Sequence, residues 1–133
     1  MRSSKTYYLP ENVGFYSTNN SESLAVDLSQ NIREILIETI KKRGRASMAV
    51  SGGSTPIPLF VALSHLDIDW SKVDLTLVDD RWVESDHKDS NELLVKSHLI
   101  KNKAGNVNFV PLKNNALTAK EGQASSEEAL KSF

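Results

Sequence analysis

Apolar residues recur at three- and four-residue spacing between about residues 19 and 43, and this periodicity predicts an amphipathic helix. Asn19 with Glu22 three residues later resembles a helix-capping arrangement. At the other end, a basic run over residues 41–43 followed by Gly44 is typical of a helix C-terminus. The apolar face of this helix is expected to comprise Leu24, Leu28, Ile32, Ile35, Leu36 and Ile40.

Shorter apolar runs further along the chain predict strands separated by helices. Interior strands are expected at residues 48–50, at the end of the apolar run 46–50, at residues 73–78, which is the clearest of them, and at residues 107–110. Two more short strands are expected around a turn, at residues 7–9 and 13–16. Further helices are expected over residues 56–66, from Ser90, and from Thr118 or Ser125, the last continuing to Phe133 without a C-cap.

Alternation of helices with short apolar strands predicts an α/β fold with a mostly parallel sheet that is covered on both faces. In such sheets ligands bind beyond the carboxyl ends of the strands. Residues 51–56 and residues 79–83 both follow strand ends in this prediction. The two segments are therefore expected to face one crevice.

Residues 51–56, called the glycine loop below, read Ser51-Gly52-Gly53-Ser54-Thr55-Pro56. Adjacent glycines allow positive φ angles and close approach of the backbone to a ligand. Thr55 is expected to cap the following helix, with Pro56 as its first residue. Free N–H groups and the positive helix dipole then favour a phosphate or carboxylate. The loop matches neither common nucleotide-binding fingerprint, and such a turn also occurs as a simple tight connection.

Residues 79–83, called the acidic loop below, place two carboxylates and a guanidinium directly after a strand. Arg81 is suited to grip a phosphate bidentately while Asp79 orients it or binds a sugar hydroxyl. The other interpretation is an ion pair that only fixes the loop. Trp82 is interpreted as a packing lid rather than a stacking platform.

Three polar residues beyond the acidic loop complete the candidate rim of the site. His87 could orient the loop or touch a substrate, although a single loop histidine is commonly solvated. Ser90 and Asn91 are expected to cap the next helix. Asp80, His87 and Asn91 are therefore kept as rim candidates, beside the binding candidates Ser51, Gly52, Gly53, Ser54, Thr55, Asp79 and Arg81.

Composition excludes several kinds of site. The chain has 133 residues and a formal net charge of −1, so it offers no basic field for nucleic acid. It contains no cysteine, which excludes disulfides and thiolate chemistry and suits a reducing cytoplasm. Its three histidines, His65, His87 and His98, form no metal-binding pair. No apolar run approaches the roughly 20 residues that span a membrane, and the N-terminus lacks a secretory signal.

Four segments together resemble the N-terminal part of the 6-phosphogluconolactonases: the glycine loop, residues 68–70, the acidic loop, and His87 with residues 89–91. The resemblance covers roughly residues 20–133. It implies a Rossmann-like, three-layer α/β/α fold shared with sugar-phosphate isomerases. It also implies hydrolysis of 6-phosphoglucono-1,5-lactone in the oxidative pentose phosphate pathway, with no metal or organic cofactor.

This chain departs from the resembled family at two points. The family usually has Asp-Glu-Arg where this chain has Asp79-Asp80-Arg81, a change expected to be tolerated. Family members also run to about twice this length, and their second half carries an Asp-Gly-His motif whose histidine activates water. No such motif occurs here, so the resemblance implies that the catalytic histidine lies beyond Phe133.

The expected domain organisation follows from this second departure. Residues 1–133 are expected to form a single α/β domain that is the N-terminal half of a longer one. That half would be incomplete at its C-terminus, inactive alone, and without a catalytic residue of its own.

Other functions remain open at this point. A glucosamine-6-phosphate deaminase or isomerase has a related loop but typically Asp-Glu-Tyr after the strand, so Arg81 and Asn91 favour the lactonase. A non-catalytic module that binds sugar phosphates is the third interpretation. The expected partner is a small sugar-phosphate lactone, with no nucleic acid and no membrane, in a cytoplasmic protein whose oligomeric state is open with a monomer favoured.

Overall fold

The computed structural model describes residues 9–133 and contains one parallel sheet flanked by helices. Its strands, in spatial order β1-β2-β3, are β1 (Ala46–Val50), β2 (Val73–Leu77) and β3 (Asn108–Phe109). Its α-helices are α1 (Ser21–Arg43), α2 (Ile57–Ser64), α3 (Asn91–His98) and α4 (Ala119–Ala129), with short 3₁₀ turns at Trp70–Lys72 and Asn102–Ala104. The predicted α/β class with a parallel sheet is confirmed.

Helix α1 begins and ends close to the predicted positions. The side chain of Asn20, not Asn19, accepts the backbone N–H of Ser23 at 2.8 Å. At the C-terminus Gly44 has a φ of 82°, and its N–H donates to the carbonyl of Ile40 at 2.8 Å. Only a residue without Cβ adopts this left-handed conformation at little cost, so Gly44 ends the helix where the sequence predicts.

The predicted apolar face of α1 is only partly correct. Leu36 is buried, and Ile32 and Ile40 pack against the core. Leu24, Leu28 and Ile35 are exposed, Ile35 by 63%. At about 100° per residue these three side chains form their own stripe beside the core-facing one. The sequence periodicity did not distinguish this exposed stripe from the core-facing one, so the two were predicted as one apolar face.

Polar side chains also mark the starts of two later helices. The Ser90 hydroxyl accepts the N–H of Leu93 at the start of α3, at 3.2 Å. The Thr118 hydroxyl accepts the N–H of Glu121 at the start of α4, at 3.2 Å. Of the two alternative starts predicted for the last helix, Thr118 is correct.

The prediction that the last helix continues to Phe133 is wrong. Helix α4 ends at Ala129, and Leu130 occupies its C-cap position. Beyond it the backbone tightens into bonds that span three residues: the Lys131 N–H donates to the Glu128 carbonyl at 3.3 Å, and the Phe133 N–H donates to the Leu130 carbonyl at 3.0 Å. Tightened turns of this kind commonly follow the last α-helical turn and satisfy carbonyls that would otherwise be unpaired.

The hydrophobic core lies against one face of the sheet. Buried side chains from α1, α2 and α3 join the strands in a single cluster; its largest fully buried members are Trp70, Phe60, Leu63, Leu75, Leu99, Val73 and Val95. The strand side chains that point the other way include Ser47 and Ala49, which are exposed. Within residues 9–133 the second face of the sheet thus carries no comparable apolar layer, and the predicted two-sided cover is not complete there.

A polar cluster ties the three strands together on that second face. Asp74 on β2 accepts two hydrogen bonds from the Arg45 guanidinium, at 2.6 and 3.2 Å, and one from the Asn108 amide at 2.7 Å. The Arg45 hydrogen bond is the main reason that the pKa of Asp74 lies below its ordinary value, and the Asn108 bond adds to it while burial opposes it. Burial of this carboxylate is compensated by its partners.

The strand predicted at residues 13–16 is not found. Residues 13–16 are irregular backbone that follows a turn in which the Val13 N–H donates to the Pro10 carbonyl at 3.0 Å. A short hairpin needs a third strand or a packed helix for stability, and residues 13–16 pair with none of the three strands of the sheet. The strand predicted at residues 7–9 falls mainly outside the described residues. No helix in residues 9–133 combines the length and apolarity needed to cross a bilayer.

Candidate functional site

The sheet register brings the glycine loop and the acidic loop side by side. Val50 and Leu77, the last residues of β1 and β2, are partners across the parallel pair. One residue further on, the Val78 N–H still donates to the Val50 carbonyl at 2.9 Å. Both loops therefore leave neighbouring strands at their carboxyl ends, the edge of a parallel sheet at which ligands bind.

The glycine loop has the turn geometry that the sequence predicts, but helix α2 starts later. Gly53 has a φ of 88°, which favours glycine at this point. Pro56, not Thr55, occupies the N-cap position of α2, and no side chain of the described residues caps it. The prediction of Thr55 as N-cap is wrong because a turn from the Ser54 carbonyl to the Ile57 N–H, 3.3 Å long, comes first.

The glycine loop presents backbone N–H groups beside exposed hydroxyls at the N-terminus of α2. Ser51, Ser54 and Thr55 are all exposed. Pro56 and Pro58 have no N–H, and the Ile57 N–H donates to Ser54, so the free backbone donors are those of residues 52–55. The helix dipole adds partial positive charge at this end of α2. The glycine loop can therefore accept an anion, with hydroxyl groups available as further donors.

Asp80 supports the acidic loop through one of its carboxylate oxygens. Its Oδ1 accepts the backbone N–H of Arg81 at 2.8 Å and that of Asn91, the first residue of α3, at 2.7 Å. A carboxylate at a helix N-terminus is stabilised by the dipole and by the free N–H groups. The structure thus gives this rim candidate an internal role, as a clamp between the acidic loop and α3.

Arg81 is exposed and held by its loop in a defined direction. One guanidinium nitrogen, Nη1, donates to the carbonyl of Asp89 at 2.9 Å. A guanidinium has five N–H donors, so this single bond orients the group and leaves donors for a ligand. The arrangement suits bidentate recognition of phosphate or carboxylate.

Asn91 connects the two loops, a role that sequence reasoning missed. It is 6% exposed, and its Nδ2 donates to the Asp79 carbonyl at 3.1 Å and lies 3.4 Å from Asp79 Oδ1. A Cβ atom built on Gly52 would overlap the Asn91 side-chain amide. Gly52 is therefore required by an internal neighbour, whereas the sequence suggested close approach of a ligand.

The remaining rim candidate, His87, orients the loop that precedes α3. Its Nδ1 accepts the backbone N–H of Asp89 at 3.0 Å, and its side chain is 44% exposed. Asp89 in turn supplies the carbonyl that holds Arg81. His87 thus acts on Arg81 through Asp89. Ser90 forms the side-chain cap of α3, so the predicted capping role belongs to it and not to Asn91.

Trp82 packs under α4, as its interpretation as a packing lid predicts. Its indole Nε1 donates to the Ala116 carbonyl at 3.0 Å, and the Lys113 ammonium lies 4.9 Å from the ring centroid. A Cβ on Gly122 would overlap the Trp82 ring and Asn114 Oδ1. Gly122 was not identified from the sequence because it lies inside a polar helix with no turn signal.

Open cavities border the site, and two of them flank its loops. One, of about 510 Å³, lies between the acidic loop and α4 and is lined by Asp79, Asp80, Trp82, Lys120, Gln123 and Glu127 among others. The other, of about 320 Å³, is largely apolar and lies between α1 and the glycine loop, against Leu24, Leu28, Gly52 and Pro56. Both volumes fall within the range of small-molecule sites. Residues 9–133 contain no group of three side chains placed to hold a metal ion.

Comparison with protein families and solved structures gives one consistent result. Residues 19–133 match the family described as glucosamine-6-phosphate isomerases/6-phosphogluconolactonase. The chain is 45% identical over 105 residues to a 6-phosphogluconolactonase of Rhizobium meliloti, an alignment that covers 79% of this chain and 45% of that protein. It is 43% identical over 110 residues to one of Mesorhizobium japonicum, covering 83% of this chain and 46% of that protein.

A solved structure shares the backbone as well. The crystal structure of a 6-phosphogluconolactonase from Shewanella baltica superposes with a TM-score of 0.90 at 45% identity. The match covers 92% of this chain and 53% of that one. The chain therefore spans about half the length of the relatives it matches, and the part that matches the family includes both loops of the candidate site.

Proposed function

Because this chain belongs to the glucosamine-6-phosphate isomerase/6-phosphogluconolactonase family, we propose that it supplies the phosphate-binding half of a 6-phosphogluconolactonase. The whole protein would hydrolyse 6-phosphoglucono-1,5-lactone to 6-phosphogluconate. The observation that carries the proposal is that the free N–H groups of the glycine loop and an oriented, exposed Arg81 follow the carboxyl ends of neighbouring strands. Relatives at 43–45% identity that are named as lactonases support it.

In the proposed mechanism the phosphate binds to N–H groups and hydroxyls of the glycine loop and to the Arg81 guanidinium. This anchors the substrate through a group remote from the lactone, so that binding energy positions the reacting carbonyl. A general base then removes a proton from the attacking water.

We assign that general base to a histidine beyond Phe133, outside this chain. Within the chain, His87 Nδ1 is engaged with the Asp89 N–H and so holds the loop instead of a water. His65 and His98 lie at the C-terminal ends of α2 and α3, away from the carboxyl edge of the sheet. The expectation that residues 1–133 contain no catalytic residue is kept as part of the proposal.

Several broader assignments belong to the same proposal. Residues 1–133 would form the N-terminal half of one α/β domain. The reaction would serve the oxidative pentose phosphate pathway in the cytoplasm, and the absence of cysteine suits that reducing compartment. The reaction needs no metal or organic cofactor, and a monomer would suffice for it.

The proposal is tested by titrating the 133-residue chain with 6-phosphogluconate, the stable product, and separately with glucosamine 6-phosphate. Both ligands carry a phosphate, but only the first carries the carboxylate that hydrolysis of the lactone releases. We expect saturable binding of 6-phosphogluconate that is several-fold tighter than binding of the amino sugar. Preference for glucosamine 6-phosphate would indicate the isomerase branch of the family, and binding of neither ligand would contradict a phosphate site.

A further inference from the structure

We propose that Asn91 is the positioning residue of this site, which fixes the glycine loop and the acidic loop in one geometry. The inference deepens the proposed function and rests on it for the identity of the ligand. The residue would touch neither phosphate nor lactone. It would act through Gly52 on one side and through Asp79 and Arg81 on the other.

Asn91 is buried and is hydrogen-bonded to the acidic loop. It is 6% exposed, and it makes hydrogen bonds with both its backbone and its side chain. Its N–H donates to Asp80 Oδ1, and its Nδ2 donates to the Asp79 carbonyl. Since Asp80 Oδ1 also accepts the N–H of Arg81, three consecutive residues of the acidic loop are tied to one residue of α3.

Asn91 also packs against the glycine loop. The side-chain amide of Asn91 occupies the space that a Cβ on Gly52 would need. Close packing of this kind fixes the distance between two backbone segments, because Gly52 has no side chain to rotate and the Asn91 amide is held by its hydrogen bond to the Asp79 carbonyl. Movement of the acidic loop would therefore be transmitted to the glycine loop through Asn91.

The role of Asn91 differs from helix capping. The side-chain cap of α3 is Ser90, whose hydroxyl accepts the Leu93 N–H. Ser90 is as buried as Asn91, at 4% exposed, and directly precedes it. The pair thus offers a matched control: Ser90→Ala removes the cap of α3, whereas Asn91→Ala removes the link between the loops.

The test compares Asn91→Ala, Asn91→Asp and Ser90→Ala in the 133-residue chain. Asn91→Asp keeps the shape of the side chain but replaces the donor by an acceptor facing Asp79. We expect both Asn91 variants to weaken 6-phosphogluconate binding by about tenfold, the effect of losing a buried hydrogen bond or two. Ser90→Ala should lower the thermal midpoint and change the affinity by less than about twofold, since a cap acts on helix stability.

Gly52→Ala tests the contact between Gly52 and Asn91 from the side of the glycine loop. In the parent chain the new methyl group overlaps the Asn91 amide and should disturb binding as strongly as Asn91→Ala. In the Asn91→Ala background the methyl group has room, so the double variant should be no worse than either single one. Additive losses would mean that Gly52 and Asn91 act separately, which would overturn the proposal.

Backbone order parameters of Gly52 and Gly53 give a readout that needs no ligand. In the parent chain they should be about 0.85, and in the Asn91 variants they should fall to about 0.6, as for a flexible loop. Ser90→Ala should leave them unchanged. If the parent chain binds no 6-phosphogluconate while this pattern holds, the proposed function fails and the positioning role stands. Unchanged glycine-loop order in both Asn91 variants would overturn the positioning role.

Discussion

Arg81 is the side chain on which recognition of a phosphate depends most directly. Its loop fixes the guanidinium through one bond to the Asp89 carbonyl, and His87 holds Asp89 in place by accepting its N–H. The side chain is exposed, so it is not needed for the core. Orientation of this kind lowers the entropy lost on binding, because the Arg81 guanidinium is already held in one direction before the ligand binds.

We predict that Arg81→Ala weakens 6-phosphogluconate binding by about 10- to 100-fold, the range expected for lost charge-assisted hydrogen bonds. Arg81→Lys should recover only part of this loss, because an ammonium group cannot bind bidentately. Isothermal titration calorimetry measures the dissociation constant of 6-phosphogluconate for both variants. Lys88→Ala is the control, since it removes an equal charge from an exposed position a few residues away. An equal loss of affinity in Lys88→Ala would mean that Arg81 acts only through its positive charge and not through a specific contact.

At the scale of elements, strands β1, β2 and β3 depend on the polar cluster around Asp74. Arg45 precedes β1, Asp74 lies on β2 and Asn108 on β3, so one carboxylate connects the whole sheet on the face opposite the core. The pKa of Asp74 is lowered in the folded chain, chiefly by its hydrogen bond to Arg45. The folded state therefore binds fewer protons at this site than the unfolded state in the acid range.

A pH dependence of stability follows from this lowered pKa. The contribution of Asp74 to the free energy of unfolding should be complete above about pH 4, the pKa of an unfolded aspartate, and should be lost as the pH falls through the lower folded value. Urea unfolding of the parent chain and Asp74→Asn between about pH 6 and about pH 2 measures it. The two curves should converge at low pH, and a constant difference between them would contradict the linkage.

The elements show how far sequence reasoning reaches in this chain. Helix α1, strands β1 and β2, and Thr118 as the cap of α4 were predictable because periodicity and capping are local signals. The strand predicted at residues 13–16 failed because pairing depends on a partner that no local pattern reveals. Asn91, Gly52 and Gly122 were misread or missed for the same reason, since their roles come from neighbours that are distant in the sequence.

At the scale of the whole molecule, the described residues leave apolar surface uncovered. Leu24, Leu28 and Ile35 form an exposed stripe on α1, and Val78 at the end of β2 is 66% exposed. The chain also spans about half the length of its relatives. Phosphate binding is therefore proposed to lie within the chain, whereas the general base for hydrolysis is assigned to a residue beyond Phe133.

We predict that the 133-residue chain does not accelerate hydrolysis of 6-phosphoglucono-1,5-lactone above the spontaneous rate in buffer. A general base contributes about 10²- to 10⁴-fold, and none of the three histidines of the chain is assigned that role. Production of 6-phosphogluconate is followed with a coupled dehydrogenase, with Arg81→Ala as the matched control. Acceleration that Arg81→Ala abolishes would show that this chain supplies the base itself.

Amide NMR of the chain, titrated with 6-phosphogluconate, maps the proposed phosphate site residue by residue. We expect the largest shifts at residues 52–55, at Ile57 and at Arg81, and we expect them to saturate with a single dissociation constant. Smaller shifts should reach Asn91, which contacts both loops. Absence of saturable shifts, or shifts centred away from the carboxyl ends of β1 and β2, would contradict the assignment of the glycine loop and Arg81 as a phosphate site.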